Sequence, residues 1–466
     1  MLLSKSISLL SHFLLASILD VETFGVFAIV LSSMVFVSVF QRSGLEKVLI
    51  SNQKSFSSLF QDYAAFIFIF SWIGSVILLL FGVFENLRRD IDGLLAVYIV
   101  ASLTIPLVAV ANLWSSKLSI DFRFKSLSQI AIAYSSIYYF LAISLAMLGF
   151  DIFTLSLSAL LAALAQVMIL RGVTEPLPWR FRLSSKNFFK YFVEFKWVLL
   201  TGVLSALAIR ADFFILAQVL SLADMGLYYF GFMIVMSFTA IISGGINKTM
   251  LPIFAAREEG MAKFSSQVSQ VSRGIIALSS LLSLSILLVG PIAIHKIWDG
   301  KWDGASSVIV LAAVFIPLRM LNVISHTIFE AFGKWRMKVN LLLFEIIILI
   351  VFTYTGALYF GLVGGAFGVM MQRVLSSILS YYLACKTLEI PLSKFFGFLL
   401  TSTIPFFSSL ILHLYLSDFR IDVSADQYAD IVANGFLVLS LWVLLSLAVN
   451  LGTVKKFLGL FRGIRQ

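Results

Sequence analysis

The sequence predicts an all-α polytopic membrane protein with about 14 transmembrane helices, arranged as two parallel six-helix lobes plus two extra C-terminal helices. Three observations lead there. Of the 466 residues, 60% are hydrophobic and only 12% charged, with a mean hydropathy of +1.01, far from the balance of a soluble chain. Apolar runs recur at the length of about 20 residues that crosses some 30 Å of hydrocarbon. Basic residues collect in alternate connections between those runs.

Taken in order, the runs fall at 2–19, 24–41, 62–83, 93–114, 126–149, 151–170, 193–219, 225–246, 270–294, 305–328, 339–360, 362–384, 396–416 and 431–450. The first, "MLLSKSISLLSHFLLASILD", carries one lysine ahead of its apolar stretch but no small-residue cleavage pattern, and reads as a retained helix. If its start is cytoplasmic, the segments expected inside hold 26 of the 34 lysines and arginines, among them Arg42, Lys47 and Lys54, the run from Arg171 to Lys196, and Lys334, Arg336 and Lys338. The segments expected outside hold 5: Arg88, Arg89, Lys296, Lys301 and Arg420. That asymmetry places both termini in the cytoplasm. Losing or adding one helix would scramble it.

The net charge of +10 therefore reports cytoplasmic loops and not a nucleic-acid surface. A single cysteine, Cys385, excludes an intramolecular disulfide, and no Cys/His spacing suggests a metal. No cofactor is implied.

The longest polar connection, "RGVTEPLPWRFRLSSKNFFK" (171–190), divides a first lobe (1–170) from a second (191–385), with 386–466 as an appendage of two helices and a basic tail. An internal repeat supports the division. "ASILDVETFGVFAIVLSSMVF" (16–36) aligns without a gap on "AQVLSLADMGLYYFGFMIVMS" (217–237) at an offset of 201, matching Ala16 to Ala217, Leu19 to Leu220 and Gly25 to Gly226. The offset pairs helix one with helix seven in the same orientation, as parallel repeats require. Asp20, Glu22 and Asp224, just before those glycines, read as helix caps.

Three basic residues remain inside spans: Arg210, Arg319 and Arg373. Asp212 follows Arg210 by two positions, so on a regular helix the two point about 200° apart and cannot neutralise each other. An unpaired charge at mid-membrane costs at least ~2.5–3.5 kcal/mol, which makes each a candidate for a bundle interior or a wet cavity. An interhelix ion pair and a snorkelling arginine are the structural alternatives. At ~1.5 Å per residue, Arg210 lies roughly 21 Å from the cytoplasmic face, Arg319 roughly 9 Å and Arg373 about halfway along its helix, a ladder of cations. Glu345 falls near the depth of Arg319 and could pair with it. Asn322 and His326 continue the Arg319 face as a wet wall or as interhelix hydrogen bonds. "GLVGGAFGVM" (361–370) suits close helix packing; no Gly-Lys-Ser/Thr follows to make a phosphate loop. His12 has no legible partner, and the aromatic residues read as lipid-facing Phe and interfacial Trp.

Several stretches together resemble a known family. "LASILDVETFGVFAIV", "SGLEKVLI", "RADFFILAQVLSLADMGLYYFG", "LPIFAA" and "FEAFGKWRMKVN", in that order over about residues 1–385, are similar to the bacterial lipid-linked oligosaccharide flippases, the Wzx-like O-antigen and polysaccharide exporters of the multidrug/oligosaccharidyl-lipid/polysaccharide superfamily. The resemblance implies two lobes around a central cavity. Its cations would bind an undecaprenyl-pyrophosphate-linked oligosaccharide while alternating access carries the unit from the inner to the outer leaflet of the bacterial inner membrane. Arg210 and Asp212 fall at the family's polar position in helix seven; Arg319 and Arg373 match by type and depth. It further implies membrane lipids as surroundings, H+ or Na+ as a coupling ion, and a polysaccharide polymerase with chain-length machinery as partners. A cation-coupled drug exporter of the same superfamily should place acids in its cavity, and a membrane glycan polymerase should carry larger outer loops. No nucleophile–base constellation suggests an enzyme.

Overall fold

The computed structural model describes residues 2–41, 56–174, 200–201, 204–205, 207–255, 261–418 and 434–448, and every regular element among them is helical. The helices are α1 (Leu2–Ile18), α2 (Val21–Gln41), α3 (Phe56–Arg89), α4 (Leu94–Ile120), α5 (Phe124–Met147) and, after a 3-10 turn at Asp151–Phe153, α6 (Thr154–Val173). Then come α7 (207–217), α8 (Leu222–Ala255), α9 (Met261–Trp298), α10 (Ala305–Val314), α11 (Ile316–Ala331), α12 (Trp335–Thr387), α13 (Leu392–Asp418) and α14 (Asn434–Ala448). Among the described residues 8 helices are long and apolar enough to cross a membrane, and α10 with α11 would add a ninth. The chain is a multi-pass membrane protein. Side chains such as Leu80, Phe140 and Ile411 stand more than 60% exposed, which suits contact with lipid tails and would be a liability in water. Residues 42–55, 175–199, 202–203, 206, 256–260, 419–433 and 449–466, which include most of the expected linker 171–190, lie outside the described residues.

Two spans depart from simple rods. The run 305–328, expected as one helix, is α10 and α11 bent by 56°. Pro317 near the start of α11 supplies the cause, because it has no N–H to continue the ladder from α10. A linear rise across that run therefore misjudges distances along it. α12 breaks at Phe360 and Gly361, whose φ of +57° falls in the left-handed region, at the boundary expected between the spans 339–360 and 362–384. There the chain folds back closely enough that Gly364 meets the backbone of Gly356. Close packing is thus the role of the glycine cluster, with Gly356 as the partner the cluster required.

By contact density the chain forms two compact units, Met1–Phe230 with Lys338–Gly365, and Gly231–Met337 with Ala366–Gln466. In the first, α2, α3 and α4 meet around Val26, Val30, Leu78, Val97, Tyr98 and Ile105. Ser33 and Tyr98 share a buried hydrogen bond of 2.8 Å. Lipid solvates apolar side chains as well as protein does, so such helices associate through small residues and hydrogen bonds. α2 crosses the start of α8 at the repeat's matched glycines: a Cβ on Gly25 would collide with the Leu222 carbonyl oxygen, and one on Gly226 with the Val21 carbonyl oxygen. Ser221 caps α8, accepting from the Asp224 N–H at 3.1 Å and donating to the Asp224 carboxylate at 2.8 Å, the capping role expected of Asp224.

Arg88 and Arg89, two of the basic residues counted outside, hold the far end of α7. Arg89 pairs with the buried Glu85 at 2.7 Å and donates to the Ala217 carbonyl, while Arg88 donates to the Gln218 carbonyl at 2.9 Å. They satisfy carbonyls that a helix end leaves without partners. In the second unit α9, α11, the later half of α12 and α13 pack through Ile276, Leu321, Tyr381, Cys385, Phe395 and Phe398.

Candidate functional site

Arg210 and Asp212 leave α7 on different sides, as their spacing requires. Asp212 is fully buried, and the Tyr228 hydroxyl of α8 donates to its Oδ2 at 2.8 Å. Phe213 packs edge-on against the same tyrosine, with ring centroids 5.2 Å apart, holding the donor in place. Tyr228→Phe is expected to destabilise the protein by about 1–3 kcal/mol, because a buried acceptor loses its donor while the ring's packing stays. A thermal unfolding series on the purified protein measures this.

Arg210 is exposed on its helix and opens onto a cavity of about 330 Å³ inside the first unit. Phe27, Met34 and neighbours of α2 form one wall, Thr104 and Ile105 of α4 another, and Tyr134 and Tyr138 of α5 with Ser156 of α6 complete it. Among the described lining residues Arg210 is the one charge. The tyrosine rings lie nearly parallel, 12° apart with centroids at 6.3 Å. The remaining polar groups are hydroxyls, which can donate or accept. Such a lining can neutralise one anion and offer hydroxyls and aromatic faces to a polar neighbour of that anion.

Tyr134, Tyr138, Thr104 and Ser156 were not legible as site residues. The i, i+4 spacing of Tyr134 and Tyr138 puts them on one helical face, and "YSSIYY" shows it. Nothing local distinguishes that face from a lipid-facing aromatic stripe, so the reading of the aromatics as mainly lipid-facing missed them. His12, without a legible partner in the sequence, has two: the Ser8 carbonyl at 2.7 Å and the Tyr139 hydroxyl at 3.2 Å. That network ties α1 to α5.

The second unit gathers other candidates. Arg373 is 8% exposed, with its guanidinium 5.2 Å from the centre of the Phe232 ring, a cation–π contact. Arg319 points its Nη1 at the Met236 sulfur. Phe232 and Met236 are one turn apart on α8, so the two arginines lie over adjacent turns of a single helix. Asn322 Nδ2 stands 3.5 Å from Ser376 Oγ, linking α11 to α12 beside them. Arg319, Asn322 and His326 are all half-buried while Leu321, Ile324, Ser325 and Ile328 are buried, which places the three polar residues on one face as their spacing indicates. His326 leans on Phe329 at 6.2 Å. Glu345, 5% exposed, belongs to the first unit and Arg319 to the second. No group of three or more metal-ligating side chains occurs among the described residues.

The family described as "Polysaccharide biosynthesis protein" matches residues 14–307. No curated protein sequence matches the chain. Among solved structures, the inward closed conformation of the lipid II flippase MurJ superposes with a TM-score of 0.72 at 14% identity, covering 97% of this chain and 98% of that one. An inward-facing multidrug resistance MATE family transporter of the MOP superfamily gives 0.67 at 15% identity, with coverage of 83% and 94%. A MOP superfamily transporter from Pyrococcus furiosus, described as having a binding pocket of reverse polarity, gives 0.59 at 12% identity, with coverage of 83% and 93%. At these identities the likeness establishes a shared fold alone.

Proposed function

Because the chain belongs to the polysaccharide biosynthesis protein family, we propose that it is a flippase for an undecaprenyl-pyrophosphate-linked oligosaccharide, an O-antigen or related polysaccharide repeat unit. One observation carries this reading: among the described residues lining the cavity of about 330 Å³ in the first unit, the one charge is the cation Arg210, set beside Tyr134, Tyr138, Thr104 and Ser156 in a lining that is otherwise apolar. A pyrophosphate is a diffuse anion that a guanidinium fork meets with two parallel hydrogen bonds. Tyr134, Tyr138, Thr104 and Ser156 would meet sugar hydroxyls and ring faces beside it. Arg319 and Arg373 are proposed as further phosphate contacts, with Asn322 and His326 as polar neighbours and Asp212 and Glu345 as the groups through which H+ or Na+ would couple.

The protein would work in the bacterial inner membrane with both termini cytoplasmic, delivering units to a polysaccharide polymerase and its chain-length machinery. The lobes are proposed at 1–170 and 191–385, with 171–190 as linker and two added helices after 385. The reciprocal glycine contacts support that repeat, since Val21 and Leu222, like Gly25 and Gly226, are 201 residues apart. An exporter of organic cations would need an acid where Arg210 stands.

The test is complementation in cells lacking their own exporter. Restored surface glycan, with loss of the lipid-linked unit that otherwise builds up on the inner leaflet, is the expected result. Continued build-up at normal protein levels, with efflux of organic cations instead, would overturn the proposal.

A further inference from the structure

A second cavity, of about 510 Å³, lies within the second unit, between the early part of α9, the end of α12 and the start of α13. Its two sides differ in chemistry. Ser266, Ser269, Gln270 and Arg273 line it from α9, and their i, i+3, i+4, i+7 spacing makes them one continuous polar face. Lys394 adds a second cation and Glu389 a carboxylate. The opposite wall is aromatic: Phe395 and Phe398 are both 4% exposed and pack on Tyr381 with centroids 6.1 and 5.0 Å away. Arg273 lies over the Phe398 ring at 5.9 Å, where the two walls meet. Among the described residues neither Arg273 nor Lys394 takes part in an ion pair.

Depth fixes what this cleft can meet. Arg273 precedes the end of α9 by 25 residues, or ~37 Å of helix, more than the ~30 Å of hydrocarbon. Lys394 sits in the first turn of α13, whose 27 residues span ~40 Å. Both cations therefore stand at headgroup level, at the ends that the charge distribution assigns to the cytoplasm. Two cations and one carboxylate leave a single positive charge.

We propose that this cleft binds an anionic phosphodiester lipid with an uncharged polyol headgroup. The phosphate lies between Arg273 and Lys394, the headgroup hydroxyls meet Ser266, Ser269 and Gln270, Glu389 sets a limit on the positive charge facing the phosphate, and the first part of an acyl chain lies against Phe395 and Phe398. The site is separate from the Arg210 cavity and independent of what the protein transports. Basic recesses between helices at the cytoplasmic interface suit such lipids, and a zwitterionic lipid would leave the surplus positive charge unmet.

The experiment is native mass spectrometry of the purified full-length protein titrated with phosphatidylglycerol or phosphatidylethanolamine, with inorganic phosphate as a soluble competitor. Wild type should retain phosphatidylglycerol in preference to phosphatidylethanolamine, and millimolar phosphate should not displace it. Arg273→Gln and Lys394→Gln should each weaken that retention about fivefold, and Glu389→Gln should strengthen it by a similar factor. Lys394 is exposed, so K394Q keeps the test alive if R273Q fails to fold. Equal retention of the two lipids, unchanged retention by K394Q and E389Q, or displacement by inorganic phosphate would each overturn the proposal, the last by showing a free-phosphate site.

Discussion

Replacing Arg210 with alanine is expected to reduce outer-leaflet delivery of the lipid-linked unit by about 10- to 100-fold while the protein accumulates normally. The reduction follows from losing a charge-assisted, two-pronged contact of about 1.5–3 kcal/mol to a phosphate, where each 1.4 kcal/mol is tenfold. Normal accumulation follows from the position of Arg210, exposed on α7 and facing a cavity of about 330 Å³, with no core role of the kind Asp212 has. Arg210→Lys should fall between, since an ammonium keeps the charge and loses the planar fork. The measurements are surface glycan and inner-leaflet lipid-linked unit in cells, normalised to membrane-embedded protein. Full delivery by the alanine variant would separate Arg210 from substrate binding, whatever became of the other arginines.

Gly226→Ala and Gly25→Ala are each expected to destabilise the protein by about 3 kcal/mol or more, the upper end for overpacking. In both cases the new methyl would fall well inside 3.0 Å of a backbone carbonyl oxygen, Val21 for one and Leu222 for the other. A backbone cannot swing aside as a side-chain tip can, so the crossing of α2 and α8 must open. The two effects should be similar, because the contacts are reciprocal. Gly172→Ala is the control: its Cβ meets nothing within 4 Å, and in the last turn of α6 (Thr154–Val173) the change should be close to neutral. Thermal inactivation followed by size-exclusion chromatography ranks the four proteins. Unequal effects at Gly25 and Gly226 would speak against a repeat that uses both glycines in the same way.

How much of this was legible varies from residue to residue. The break at Phe360 and Gly361 was readable, because two apolar runs of membrane-crossing length cannot be joined without one. The opposite facing of Arg210 and Asp212 was readable from the 100° turn per residue alone. The bend between α10 and α11 has a local signal in Pro317, yet a mid-run proline in a membrane helix is tolerated as often as it breaks one. Pro106 of α4 stands within an unbroken helix in this same protein. For Asp212 the partner was out of reach: Tyr228 is 16 residues on, beyond the turn that ends α7, and no spacing rule spans a turn. The tyrosines of the Arg210 cavity were out of reach for a related reason. A stripe on α5 has the same pattern whether it faces lipid or a cavity, and its position relative to α2, α4 and α6 decides which.

By itself, then, the sequence determined that the chain is helical and crosses the membrane many times, which residues carry charge into that interior, and which stretches repeat. Those properties depend on composition, run length and helical period, all of which are local. Tertiary structure alone decided that Arg210 opens onto a cavity lined by hydroxyls and aromatic rings, that Asp212 is held by Tyr228, and that Arg319 and Arg373 lie over neighbouring turns of α8. In a membrane, hydrophobicity drives helices into the bilayer but does not choose their neighbours. The neighbours are chosen by shape, small residues and a few hydrogen bonds between positions far apart in the chain, and the candidate site consists of those neighbours.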